Sequence, residues 1–399
     1  MMQFNSTKTN LELFKHNSKL SLAKADKKRK GQFYTPEHLV EYILSYLPIE
    51  NTKTILDPSC GCGSFLLPIA DLLIKNGNIY CVSNLYGIDI DKDAVATTKL
   101  ALSSKCNNDL SLLSVIENQI IEGNAIVENP HIDKKAVNWE ARFYYVIQNG
   151  GFDIIVGNPP YVVLTKKEVD LSESIYREIV DNNNINAFAL MIGKSLEYLK
   201  EGGILAFILP KTILYVNSYS KLREYLLKKT SLLHIVDLGL SFADVRGEQI
   251  ILILKKETPA QDHVVEIKTI TDPRIPIEQH ASTYIKQDYF DEFGRRIILC
   301  ESVDCYSILQ KIKNIGVPFK EMEEIDIFRG LTLEAKAIRQ DKHKETDIEI
   351  IKGKSISKFH IKSLHYVNQQ DLQKFNPNKL KKIMNRKIIL QNIFSPEAG

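Results

Sequence analysis

The stretch Phe152-Asp153-Ile154-Ile155-Val156-Gly157, followed at once by Asn158-Pro159-Pro160-Tyr161, decides how the rest of the chain is read. Its first six residues form an apolar run of the length expected for a buried parallel strand. A stiff Asn-Pro-Pro-Tyr turn at the carboxyl end of that strand puts a carboxamide, a free carbonyl and an aromatic face in one crevice. In open α/β sheets that crevice is where ligands bind. Proline stiffens the turn and brings no N–H to compete for an acceptor. Such groups suit the gripping of a flat nitrogen whose lone pair is conjugated, as in the exocyclic amine of a base. The turn therefore points to nitrogen methylation, with Asn158, Pro159, Pro160 and Tyr161 as catalytic residues and Tyr161 as a stacking platform for the base.

On either side of this turn, strand-like and helix-like segments alternate. The strand candidates are 54–56, 85–88, 152–156, 204–209, 232–236 and 250–254, and the helical patterns are 64–75, 92–103, 186–200 and 218–229. A further helical period runs through Leu39, Val40, Ile43, Leu44 and Leu47, with Pro36 placed for its first turn. The alternation predicts a Rossmann-like, doubly wound, mostly parallel α/β sheet. The last two strand candidates are joined only by a loop, so an antiparallel strand is expected at or near an edge.

The 399 residues allow two or three domains, and a composition 44% hydrophobic and 25% charged is that of an ordinary globular protein. A net charge of +3 argues for no particular partner, but its distribution does. Residues 1–30 read as a polar, basic leader that ends in Lys24, Lys27, Lys28, Arg29 and Lys30, either a solvated helix face or a phosphate-contacting arm. Residues 31–256 read as the catalytic domain, 257–318 as a connecting region, and 319–399 as the start of a smaller mixed α+β domain. Between Lys352 and Lys387 the basic residues face the single acid Asp371, with Phe359, His360, His365, Tyr366 and Phe375 interleaved, which favours nucleic-acid contact. The chain stops soon after a strand-like run at 387–391, as a fragment would. The six cysteines form no CxxC pair, so neither a metal site nor a disulfide framework is expected. No signal core or spanning apolar stretch is present, and a cytoplasmic location without membrane contact is expected.

The loop after the first strand, Asp57-Pro58-Ser59-Cys60-Gly61-Cys62-Gly63, bears glycines but lacks the dinucleotide GxGxxG spacing. It opens on a carboxylate, which would repel phosphate and suits a cationic end such as the amino group of an amino acid. Leu85-Tyr86-Gly87-Ile88-Asp89 ends a second strand in an acid, where a carboxylate can hold a ribose. Asp91 is better placed as the N-cap of the helix from Lys92. Asn124, after a third strand, has two readings: a carboxamide on an adenine edge, or an ordinary Gly-Asn turn.

Taken together, Gly31-Gln32-Phe33-Tyr34-Thr35-Pro36, the 57–63 loop, Gly87-Ile88-Asp89 and Asn158-Pro159-Pro160-Tyr161 resemble the N6-adenine DNA methyltransferase family. The order matches the gamma-type subgroup, in which cofactor motifs precede the catalytic motif and the recognition domain comes last, as in type I and type IIG restriction-modification methylases. Phe328-Arg329-Gly330-Leu331 more weakly resembles the opening of such a recognition domain. The resemblance implies S-adenosyl-L-methionine as cofactor. Tyr34 and Thr35 would hold its methionine end, Asp57, Pro58, Gly61 and Gly63 would cradle it, Asp89 would bind the ribose and Asn124 the adenine amine. It also implies that Phe242 covers the second face of the target base, although a core role for Phe242 is equally readable.

The expected reaction is methyl transfer to N6 of an adenine flipped from duplex DNA. The enzyme would work within a restriction-modification system, with a specificity or nuclease subunit or domain as a further partner. The alternative is an RNA-base or protein-glutamine N-methyltransferase, whose target nitrogens are also planar. The polar segment 162–184 reads either as a loop that orders over the flipped base or as an unstructured connection.

Overall fold

In this computed structural model the described residues are 35–172, 174–180, 185–239, 247–300, 302–318, 321–323, 330–357 and 360–385. A sheet of nine strands organises the first unit. The strands are β1 (Ile55–Asp57), β2 (Leu85–Asp89), β3 (Ile120–Glu122), β4 (Phe152–Gly157), β5 (Leu199–Pro210), β6 (Ser231–Gly239), β7 (Gln249–Lys255), β8 (Val264–Thr269) and β9 (Ser282–Lys286). Their order across the sheet is β9-β8-β6-β7-β5-β4-β1-β2-β3. From β5 to β3 every pairing is parallel, and β6 pairs with β8 in parallel as well.

The strands are apolar on both faces because helices cover both. Side chains alternate across a strand, so Ile154, Val156, Ala206, Ile208, Ile251 and Ile253 face one layer. Ile155, Leu205, Phe207, Leu209, Ile250, Leu252 and Leu254 face the other. The first layer is closed by helices α1 (Glu37–Ser45) and α2 (Leu66–Asn76), with α3 (Lys92–Lys105) and α4 (Leu110–Gln119) continuing it past β2 and β3. The second is closed by α5 (Ala187–Tyr198) and α6 (Ser220–Lys229). The expected doubly wound α/β sheet is therefore present. Asp91 caps α3 as expected, accepting the amides of Asp93 and Ala94 at 3.0 and 3.3 Å.

Two expectations need correction. The second of the last two strand candidates is the antiparallel strand β7, and it lies inside the sheet, bonded to β5 on one side and β6 on the other, while the edge strand β9 is antiparallel to β8. β7 is not an edge because β6 pairs with the side that β5 leaves free, and β8 and β9 then extend the sheet beyond β6. Those two strands come from the stretch 257–318, expected to be a connecting region. Its prolines and short apolar runs hide the period, yet Val265, Ile267 and Ile285 are buried in the core. The sheet-bearing compact unit runs to Gln310, and a second unit comprises Lys311–Gly399. Within that second unit, Ile348–Ile350 pairs antiparallel with His365–Val367, and a helix spans Pro377–Met384. Lys362, Lys374, Lys379, Lys381 and Lys382 are exposed there. Among the described residues no helix is long and apolar enough to cross a membrane.

Candidate active site

Because β1 to β4 run parallel, Asp57, Asp89, Asn124 and Asn158 all fall within two residues of a strand's carboxyl end, on one edge of the sheet. The strand order β4-β1-β2-β3 makes Asn158 a neighbour of the Asp57 loop, with Asp89 and then Asn124 beyond it.

Asn158 is partly exposed, and each end of its carboxamide is held. Its Nδ2 donates to Thr35 Oγ1 at 3.2 Å, and its Oδ1 lies 2.9 Å from the Tyr161 hydroxyl. The same hydroxyl lies 3.0 Å from the Ile208 carbonyl on β5, so its proton is shared between two acceptors. Burial pushes the Tyr161 phenol well above its usual range, which keeps it a donor. Its ring meets Phe188 edge-on, with centroids 6.3 Å apart. Hydroxyl and ring contacts thus fix the plane of Tyr161. Pro159 is buried and Pro160 half-buried.

Behind Asn158, Gly157 has to be a glycine. A Cβ there would lie 2.6 Å from Asp57 Oδ1. Asp57 is 1% exposed, and its Oδ1 accepts the Ser59 amide at 3.0 Å. Burial, helped by the nearby Asp89 charge, pushes the Asp57 carboxyl up to about 8. Asp89 is also raised by burial. Its Oδ2 accepts the Gly61 amide at 2.8 Å and its Oδ1 the Asp91 amide at 2.9 Å. Thr98 Oγ1 donates to the Gly61 carbonyl at 2.8 Å, and the Cys60 amide donates to Ile88 O at 2.9 Å, so the 57–63 loop is tied to β2 and α3. The two glycines of the loop differ. Gly61 has φ +51° and opens onto space, with nothing within 4 Å of a Cβ placed there. Gly63 has φ +86° and is buried, and a Cβ there would meet Leu67 Cγ at 2.9 Å.

Asn124 is committed largely to its own loop. Its Nδ2 donates to Asp133 Oδ2 at 2.7 Å, and its Oδ1 accepts the Ile126 amide at 3.2 Å. The following loop is pinned by the chain's one tryptophan, whose Nε1 donates from Trp139 to Ala125 O at 2.9 Å.

Residues 83–242 match the family described as Eco57I restriction-modification methylase. The chain is 27% identical over 307 residues to the type II methyltransferase M.VspI of Vibrio sp. (strain 343), covering 76% of this chain and 64% of that protein. To the type II restriction enzyme and methyltransferase RM.Eco57I of Escherichia coli it is 26% identical over 295 residues, covering 59% of this chain and 29% of that protein. The chain thus spans less than two thirds of either relative. In fold it is similar to a modification subunit of a putative type I restriction enzyme from Vibrio vulnificus YJ016, with a TM-score of 0.51 at 16% identity over 96% of this chain and 68% of that one.

Tyr34 and Phe242 lie outside the described residues. Three features at the site were not singled out from sequence. Thr35 touches Asn158, Gly157 lies against Asp57, and Lys211, just past β5, pairs with Asp237 at 2.7 Å and Glu248 at 2.9 Å. Burial pulls the Lys211 ammonium down, and the bonds to those two carboxylates more than restore it. A lysine directly after a strand that ends in proline was the one sequence signal available. The described parts of the 162–184 segment, 162–172 and 174–180, are also built into the fold, and 173 and 181–184 lie outside the described residues. Val163–Leu164 pairs with Ile185–Asn186, and buried Tyr176 donates to Ile126 O at 2.8 Å.

Proposed function

We propose that this chain transfers a methyl group from S-adenosylmethionine to N6 of an adenine flipped out of duplex DNA, as the modification activity of a restriction-modification system. The observation that carries this reading is the held carboxamide of Asn158, one strand away from a loop built around a buried carboxylate.

That loop fits the cofactor's charge. Asp57 and Asp89 take backbone amides as partners, and burial holds both carboxyls above their ordinary range. A ligand with an ammonium and a sulfonium favours the charged forms of both carboxyls, whereas a phosphate would disfavour them. Gly61 leaves open space beside the loop for such a ligand. When bound, S-adenosylmethionine supplies an electrophilic methyl on a positively charged sulfur.

The chain's own residues prepare the nucleophile. An adenine amine is weak because its lone pair is delocalised into the ring. Asn158 Oδ1, with one lone pair directed to Tyr161, has a second with which to accept an N6 hydrogen. The Pro159 carbonyl accepts the other. These two acceptors draw the nitrogen toward tetrahedral geometry and localise its lone pair. The contribution is positioning and electrostatics, with in-line transfer and no covalent link to the protein. No strong base is needed, since the amine becomes acidic only once the methyl has arrived.

Extruding the base costs a few kcal/mol. Stacking on the fixed face of Tyr161 offsets this by about 1–3 kcal/mol. Phe242 as a second cover, Tyr34 at the methionine end, Asp89 on the ribose and Asn124 on the adenine amine belong to the same proposal. The exposed lysines of the second unit supply charge for the DNA backbone. A specificity or nuclease subunit or domain completes the system.

The test is incubation of the purified chain with methyl-labelled S-adenosylmethionine and duplex DNA, followed by digestion to nucleosides. Label in N6-methyladenine is the expected result. Label confined to RNA or to protein glutamine transfers the assignment to the alternative acceptors.

A further inference from the structure

We infer that Thr35 is a positioning residue for the reacting amide: its hydroxyl holds the Asn158 side chain in the orientation that presents oxygen to the substrate amine. This rests on the reading of Asn158 as the hydrogen acceptor, and it gives Thr35 a task separate from contact with the cofactor.

The two ends of a carboxamide have nearly the same shape and opposite hydrogen-bonding character. Only the oxygen can accept an N6 hydrogen, so the site fails if the group rotates by half a turn. In the observed arrangement Asn158 Nδ2 spends one hydrogen on Thr35 Oγ1 at 3.2 Å, while Oδ1 faces the Tyr161 hydroxyl at 2.9 Å. Thr35 is 4% exposed, so solvent does not replace its hydroxyl cheaply.

The hydroxyl is worth this role only if it is itself immobile, and α1 makes it so. Pro36, next to Thr35, accepts the first amides of the helix, from Leu39 and Val40, at 3.1 and 3.2 Å. Leu39, Val40, Tyr42 and Ile43 are each at most 1% exposed against the sheet. Tyr42 Oη is a further anchor, 2.6 Å from Nε2 of buried His234 on β6. Thr35 is thus the tip of a buried strut that begins on β6 and ends on the catalytic amide. Valine keeps the shape of threonine and removes the acceptor, whereas serine keeps the acceptor and removes a methyl.

Three measurements on the full chain test this: single-turnover methyl transfer at saturating cofactor, cofactor dissociation constant, and the side-chain amide proton resonances of Asn158. Thr35→Val is expected to slow transfer about ten- to hundredfold, the scale of a small misplacement of a reacting group. Because transfer is read at saturating cofactor, a change in cofactor affinity does not enter the rate, and the hydrogen-bonded Asn158 amide resonance should be lost. Thr35→Ser should restore both rate and resonance. Unchanged transfer in Thr35→Val, or a loss confined to cofactor affinity, overturns the inference. Failure of Thr35→Ser to restore the rate overturns it too. Rates are scored against the unaltered chain on whichever acceptor it methylates, so a wrong DNA assignment shows itself separately, as absence of N6-methyladenine from the unaltered reaction.

Discussion

The carboxylate of Asp89, at the end of β2, accepts the backbone amide of Gly61 at 2.8 Å. One side chain thereby joins the second strand to the loop that follows the first. The group proposed to meet a ribose is also a structural clamp on the loop next to it. Asp89→Ala should therefore weaken cofactor affinity about tenfold or more, by removing a ligand contact and freeing an amide that shaped the loop. Calorimetric titration measures this, and an unchanged dissociation constant would refute the assignment.

Asn158, the proposed hydrogen acceptor, follows β4, the strand beside β1 and its loop. Asn158→Ala should leave cofactor affinity nearly unchanged and lower turnover about a hundredfold or more, the usual scale for losing one preorganised hydrogen-bonding group at a reacting centre. Unaltered turnover with tight cofactor binding would remove Asn158 from the chemistry.

Gly157 separates the two sites by having no side chain. In Gly157→Ala the new Cβ would sit 2.6 Å from Asp57 Oδ1, on a buried strand that cannot shift freely. Overpacking of this kind costs about 1–3 kcal/mol. Denaturant unfolding should show that loss, together with weaker cofactor binding because Asp57 is the residue displaced. A variant as stable as the unaltered chain would mean that the strand end is looser than its packing indicates.

Asp57 makes the cofactor-free protein sensitive to pH. Its carboxyl titrates near 8 in the folded state, through burial first and Asp89 second. In the unfolded chain an aspartate titrates at about 3.9. The folded state therefore binds more protons between these values, so the contribution of Asp57 to stability is fully present below about pH 4 and is lost as pH rises through about 8. A cationic ligand reverses the preference by favouring the charged form. Cofactor binding at neutral pH should then release protons, read as a binding enthalpy that changes with the ionisation heat of the buffer. Asp57→Asn should abolish that release and flatten the slope, and proton release that persists in Asp57→Asn would point to another group.

Much of the sheet was legible because its strands are apolar on both faces and bounded by turn residues. Phe152 to Gly157 reads as a buried strand in any context, and its Asn-Pro-Pro-Tyr turn places a carboxamide at the strand's carboxyl end. Helix α1 was legible from the spacing of Leu39, Val40, Ile43 and Leu44, all of which are buried. The strands β8 and β9 were not. Their runs are short and separated by Pro273 and Pro276, and what makes them strands is the open edge of β6 that β8 joins. The interior position of β7 was not legible for a similar reason: β6 pairs with its far side, and which strands pair is decided by the assembled sheet.

The sequence by itself determined that a parallel α/β sheet would carry Asp57, Asp89, Asn124 and Asn158 at one end, because strand period and chain direction are local properties. Only the tertiary structure decided which of these groups meet. Thr35 and Asn158 are 123 residues apart and share a hydrogen bond because α1 packs across the sheet. Asp57 is held near neutrality because the fold excludes water around it. Hydrogen bonds and burial between distant segments depend on distances that no spacing along the chain encodes.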